Sequence, residues 1–401
     1  MTPYPNTVAG VLEVLERSFG GVQYVHSVLE QVLKANKKWG SRDRSFVAEH
    51  TYEIVRHWRY LWALLGEEPS LKRQALKRLF WVYYSVVRGE EIPEWAIEKG
   101  ISLEPVCDVS SLPLVQKESY ADWFSERMET EVGVERWTQL AKALNQPTQV
   151  ILRVNTLKAN REQLLEALRA ENIEAAASDI APTAVVVEGR PSLTRLKTFE
   201  KGWFEVQDGG SQKIAPWIQA APGMKIIDAC SGAGGKTLQM AAESGNKAEI
   251  IAMDVEPFKL KELEKRALRA GVTCVRTAPI HTSRDVQRLH EWADALLLDV
   301  PCSGSGVIRR DVDTKWKLKP EHLERTMALQ KRILLQYTDA IKPGGRLVYA
   351  TCSVLSSENE GQIDQFLLEK KGEYELLHQE RFSPEHAHSD GYFISVLTKN
   401  S

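Results

Sequence analysis

Two cysteines stand just past two apolar runs. ADALLLDVPCSGSG places Asp299 and Cys302 after one run, and RLVYATCSV places Cys352 at the end of the next. If both runs are strands lying side by side in a parallel sheet, both thiols open into the crevice outside the strands' carboxyl ends, where ligands of such sheets bind. A thiolate there can add to carbon 6 of a pyrimidine, which makes carbon 5 nucleophilic enough to take a methyl group. A carboxyl group near ring nitrogen 3 favours that addition by countering charge that develops on the ring. A base must then remove the carbon-5 proton so that the thiol can leave. One cysteine as nucleophile and a second assisting release suits this set. A redox dithiol is the rival reading, but the two cysteines lie in separate turns without CxxC spacing. The neighbouring carboxylate would also raise a thiol pKa, so activation has to come from Lys236 or from a cationic sulfonium.

A methyl donor needs its own site. KIIDAC runs into SGAGGKTLQMAAESG, a strand–turn–helix pattern with Gly232, Gly234 and Gly235 in the turn. These glycines let a ligand approach the backbone, and the helix behind them offers free N–H groups. The spacing is neither GxGxxG nor GxxxxGK[ST], so a nucleotide phosphate is not the first expectation. The alternative is a tight turn with a packing role alone. Asp254 ends the following strand, AMDVEP. An acid placed there typically takes ribose hydroxyls, although Asp254 ahead of Pro257 also suits a helix cap. A glycine turn and a ribose acid without a phosphate cradle fit the adenosyl group of S-adenosylmethionine.

The elements that must position these groups follow from periodicity. Apolar residues recur at three and four through TVAGVLEVLERSFG, YVHSVLEQVLKANKK, RDRSFVAEHTYEIVRHWRYLWALLG and SLKRQALKRLFWVYYSVVRG, which predicts an all-helical region over 1–95 with Ser41 and Asp43 as helix N-caps. Residues 96–118 carry spaced prolines and read as a linker. A small α/β unit is expected over 119–203, where YADWFSERMETEVGVERWTQLAKALNQ is helical and QVILRVNTL and TAVVVEG are strands. From 204 to 401 strands and helices alternate regularly, which predicts a parallel sheet with right-handed crossovers. At 401 residues, two to three domains are expected from about 150 residues each.

The same segments resemble a known family, the RNA 5-methylcytosine methyltransferases. DACSGAGGKT is similar to the family's cofactor turn, DVPCSGSGVIRRDVDTKW and YATCSVLSSENE to its two cysteine motifs, and RVNTLKANREQL, FEVQDGGSQ and DGYFISVLTK to further segments in the same order. The resemblance implies Cys352 as catalytic nucleophile, Cys302 as the cysteine that helps release product, and Asp299 as the acid touching cytosine and cofactor. It implies S-adenosylmethionine binding at Cys230, Ser231, Gly232, Ala233, Gly234, Gly235, Lys236, Asp254 and Asp299. The pattern departs after the third strand, where RTAPIHTSRD stands in place of the usual Gly-Asp or Asp-Ala, leaving the adenine-contacting residue unassigned at Pro279 and Ile280. GSRDRSFVAEHTYEIVRHWRYL resembles the helical RNA-binding domain of NusB-type factors. The implied architecture is a Rossmann-like methyltransferase sheet preceded by a small α/β domain and a NusB-like domain. The implied activity is cytosine-5 methylation of small-subunit ribosomal RNA, with a transfer RNA target or a noncatalytic assembly factor as alternatives.

RNA contacts are expected from Arg309, Arg310, Lys315 and Lys317, close after Cys302, and from Arg42 and Arg44 in the N-terminal helices, where Trp58 reads as core. The net charge of -2 excludes a wholly cationic nucleic-acid binder, so basic groups have to be gathered locally. Five cysteines without paired spacing argue against both a disulfide framework and a metal site, and Cys107 and Cys274 read as small buried residues. No apolar run reaches a membrane span. A cytoplasmic monomer is expected.

Overall fold

The computed structural model describes residues 3–96, 108–385 and 389–401, which pack as two units, one of 1–145 with 311–318 and one of 146–310 with 319–401. Cys107 and residues 97–107 of the expected linker lie outside the described residues.

The first unit is helical. Its helices include Pro5–Gly20, Val25–Ala35, Ser41–Arg56, Trp58–Leu65, Arg73–Val82, Asp122–Val132 and Val134–Ala143. Their apolar stripes meet in one core that contains Val11, Leu15, Val28, Ile54, Trp58, Leu61, Trp62 and Phe80, with Val312 of the returning segment among them. Two stretches read as single helices are each broken in two. One break falls at His57, and the other at Gly133, whose φ of +84° lies where a side chain would strain the backbone. Neither Ser41 nor Asp43 is the N-cap expected. The cap position is Gly40, and Asp43 instead accepts the Gly40 N–H at 3.0 Å from inside the first turn.

The second unit holds two sheets. The smaller is antiparallel, with β1 (Val150–Val154), β2 (Ala175–Ala177), β3 (Ala184–Val187) and β4 (Phe204–Val206) in the order β2-β3-β1-β4. Phe204, the point from which regular alternation was expected, thus begins a strand that pairs with β1. A capping box starts the intervening helix Arg161–Ala170: Asn160 accepts the Gln163 N–H at 2.8 Å and Gln163 accepts the Asn160 N–H at 2.9 Å.

The larger sheet contains β5 (Lys225–Asp228), β6 (Glu249–Asp254), β7 (Val275–Pro279), β8 (Ala293–Asp299), β9 (Ile341–Thr351), β10 (Tyr374–Phe382) and β11 (Tyr392–Lys399), in the order β10-β11-β9-β8-β5-β6-β7. Strands β5 to β9 are parallel, while β10 and β11 run antiparallel at one side and were not foreseen as strands. Alternation assigns the two faces. Ile226, Ile250, Ala252, Ala295 and Leu297 pack with helices Gly235–Glu243 and Pro257–Ala270. Ile227, Ile251, Met253, Leu296 and Leu298 pack with helices Pro320–Tyr337 and Glu360–Glu369. The chain runs from β5 outward through β6 to β7, then returns to β8 on the other side of β5. That reversal is the topological switch point of the sheet.

Candidate active site

The register aligns Asp299 of β8 with Ala350 of β9, so the turns carrying Cys302 and Cys352 leave adjacent strand ends. Their sulfurs lie 3.2 Å apart. The hydrogen bond to Cys352, followed by burial, pushes the Cys302 thiol well above its usual range. The Gly306 N–H donates to the Cys352 carbonyl at 2.9 Å, which ties the two turns through the backbone as well. Lys236, in the first turn of the helix after β5, donates to Asp299 Oδ2 at 2.5 Å. Burial alone would lower the Lys236 ammonium, but the Asp299 carboxylate outweighs it and holds the lysine above its ordinary value. The thiol pair, the acid and the lysine expected from the sequence are therefore carried by neighbouring strand ends of one sheet.

The glycine turn is shaped by its neighbours. Gly234 has φ +86°, and a Cβ there would fall 2.4 Å from Leu263 Cγ. Gly232 has φ +54°, yet a Cβ there would meet nothing within 4 Å. Asp254 Oδ2 accepts the Gly232 N–H at 2.8 Å, and its Oδ1 accepts the Glu256 N–H at 2.9 Å. Asp254 thus pins the turn and holds the backbone at Glu256, which itself takes the N-cap position of the next helix without a side-chain cap. Each carboxylate oxygen retains a second lone pair for a ligand hydroxyl. Ser231 donates its N–H to Met253 O at 3.0 Å, and the Ala233 carbonyl is taken by Arg266 at 2.6 Å. Cys230 turns its thiol against the core, where burial drives its pKa well up. In place of the family's usual residue after the third strand, Pro279 ends β7 and Ile280 is buried, donating its N–H to Asp254 O at 2.9 Å. Open space over Gly232 beside an acid with spare acceptor capacity fits S-adenosylmethionine, with Gly232 to Lys236 and Asp254 as the residues that would hold it.

Asp228, at the end of β5, is 1% exposed. Its Oδ2 accepts from Thr237 Oγ1 at 2.7 Å, and its Oδ1 has no hydrogen-bond partner among the described residues. Burial lifts its pKa to about 7. The sequence reading also missed Glu358, a fully buried acid bonded to both Ser303 and Ser353. The available signal was that a serine follows each of the two cysteines, in PCSG and in TCSV.

The basic residues after Cys302 are placed otherwise than expected. Arg309 is buried and donates to the carbonyls of Gln146, Pro147, Pro384 and Ser389. Arg310 is ion-paired with Asp208 and Asp390. In the helical unit, Lys315 is buried and donates to Arg56 O at 3.0 Å, Glu118 O at 2.8 Å and Asn145 Oδ1 at 2.5 Å. Lys317 donates to Ser18 O at 3.0 Å and Gly21 O at 3.3 Å. These donors are engaged by carbonyls and carboxylates of the chain itself. Arg44 likewise donates to Trp39 O at 3.1 Å and Asn36 O at 3.4 Å, whereas Arg42 is exposed.

The chain is similar to proteins of one family. Residues 215–398 match the model for 16S rRNA methyltransferase RsmB/F, and residues 120–194 match the ferredoxin-like domain of RsmF/B-like methyltransferases. A probable ribosomal RNA small subunit methyltransferase B of Synechocystis sp. is 29% identical over 411 aligned residues, covering 89% of this chain and 91% of its own. The ribosomal RNA small subunit methyltransferase B of Pectobacterium carotovorum is 32% identical, with 72% of this chain and 70% of its own covered. The crystal structure of a methyltransferase homologue from Pyrococcus horikoshii superposes with a TM-score of 0.64 at 28% identity, covering 73% of this chain and 100% of its own. The chain belongs to the RsmB/F family of S-adenosylmethionine-dependent methyltransferases.

Proposed function

We propose that this protein methylates carbon 5 of a cytosine in small-subunit ribosomal RNA through a covalent bond between Cys352 and the base. The observation that carries the reading is the 3.2 Å approach of Cys302 and Cys352 at the strand edge that also holds Asp299 and Lys236. The names of the relatives supply the RNA class.

S-adenosylmethionine supplies an electrophilic methyl group. The protein's own residues prepare the base for it. Cys302, whose thiol is held well above its usual range, lies 3.2 Å from Cys352, and Cys352 reacts as its thiolate. That thiolate forms a bond to carbon 6 of cytosine, pushing electron density toward ring nitrogen 3 and making carbon 5 nucleophilic. Lys236, oriented by its hydrogen bond to Asp299, supplies the positive charge that offsets the electron density developing at nitrogen 3. After carbon 5 has taken the methyl group, a base removes its proton, the carbon–sulfur bond breaks, and Cys302 assists the departure of Cys352. The target cytosine has to leave its stack to reach the strand edge. The helical unit, with Arg42 exposed, serves RNA positioning in this reading, and the reaction takes place in the cytoplasm.

The test is transfer of labelled methyl from S-adenosylmethionine to unmodified small-subunit ribosomal RNA, followed by nucleoside analysis. The expected product is 5-methylcytidine at a discrete site. Label at another atom, or label in transfer RNA alone, would overturn the assignment.

A further inference from the structure

We propose that Glu358 is the positioning residue of the two-cysteine site, holding both cysteine turns in register through the serine that follows each cysteine; this rests on the methyltransferase reading above. Glu358 is 0% exposed. Its Oε1 accepts the Ser303 N–H at 2.8 Å and Gln330 Nε2 at 3.1 Å. Its Oε2 accepts Ser303 Oγ and Ser353 Oγ, each at 2.5 Å. The serines are joined further through Ser305, whose Oγ lies 2.9 Å from Ser353 Oγ and accepts the Val354 N–H at 3.1 Å. Gln330 also donates to Pro301 O at 2.9 Å, which fixes the residue just before Cys302. One carboxylate thereby binds the 301–305 turn and the 351–354 turn, which come from different strands.

Among the described residues no cation lies within ion-pair distance of Glu358. A buried carboxylate held by neutral donors is costly and is weak evidence of a stability role. Its charge does have a consequence for the neighbouring sulfur. Behind the hydrogen bond to Cys352 and burial, the Glu358 charge adds to the forces that keep the proton on Cys302.

Glu358→Gln separates charge from shape. The amide oxygen can keep the Ser303 N–H and Gln330, while the amide nitrogen faces two hydroxyls that rotate to accept. Two measurements are made on the full-length variant: iodoacetamide labelling of Cys302 and Cys352 in the free protein at pH 8, resolved by mass spectrometry, and methyl-transfer kinetics on ribosomal RNA. With the negative charge gone, Cys302 loses its proton more readily, so its labelling should rise about fivefold or more. kcat should fall about tenfold with KM for RNA within about twofold. Labelling of Cys302 or kcat remaining within about twofold of wild type would overturn the proposal, because a packing role alone moves neither selectively. Should Glu358→Gln not fold, Ser303→Ala with Ser353→Ala removes both hydroxyl donors, and kcat has to fall at unchanged KM for the proposal to stand. The labelling readout needs no turnover. A wild-type protein that transfers no methyl but shows Glu358-dependent labelling would sink the methyltransferase reading and leave the role of Glu358 intact.

Discussion

Cys352 and Cys302 share one hydrogen bond, but the chemistry proposed for them differs, and substitution separates the two. Cys352→Ala should lower methylation by about a thousandfold or more and abolish any RNA adduct that survives denaturing electrophoresis. Cys302→Ala should instead let that adduct accumulate. Reversed phenotypes would exchange the two roles. Asp228 offers a test that needs no RNA. Its folded pKa is about 7, raised from an ordinary 3.8, so the folded state binds its proton more tightly than the unfolded chain. The stability it contributes is complete below pH 4 and is lost as pH rises toward 7. Asp228→Asn keeps an acceptor for Thr237 and removes this loss. The melting temperature of the variant relative to wild type should rise between pH 4 and 7, then stay level. A difference that does not change with pH would show that Asp228 titrates normally.

Among the elements, the turn after β5 separates two uses of glycine. Gly234→Ala meets Leu263 at a backbone angle that side chains avoid, so a loss of about 2 kcal/mol or more is expected in denaturant unfolding. Gly232→Ala costs only about 1 kcal/mol of backbone strain because the space beyond it is open. That methyl group enters the proposed cofactor space, so calorimetry should show S-adenosylmethionine binding weakened about tenfold or more. Equal affinity in wild type and Gly232→Ala would remove the turn from the cofactor site. This turn and the two cysteine turns were legible because each follows a short, continuous apolar strand. Strand β10 was not, since most of YELLHQERF is exposed or half-buried at the sheet's edge and shows no clean alternation. Glu358 was hidden for another reason. In SSENE it looks like an ordinary polar helix start, and its partners stand up to 55 residues away.

For the molecule as a whole, charge was the least legible property. Arg309, Lys315 and Lys317 are basic by type, but whether a donor faces water or a carbonyl depends on chain segments far off in sequence. Lys315 shows the scale of the effect: its acceptors belong to Arg56, Glu118 and Asn145, and burial drives its pKa well below normal. Lys315→Met should leave those acceptors unpaired at a cost of about 2–4 kcal/mol. Hydrogen exchange should quicken across helices Pro5–Gly20 to Arg73–Val82 and stay unchanged in the larger sheet. Unaltered exchange in those helices would mean that the plug adds nothing to their stability. The placement of that plug also sets a schedule. The helical unit spans residues up to 145 but lacks Val312, Lys315 and Trp316 until residue 318 has been made. At roughly 5–20 residues per second, about 170 further residues take some ten to thirty seconds to synthesise. A nascent chain therefore waits with its first unit unfinished while β1 to β8 emerge from the ribosome, and the part made first is among the last to be completed.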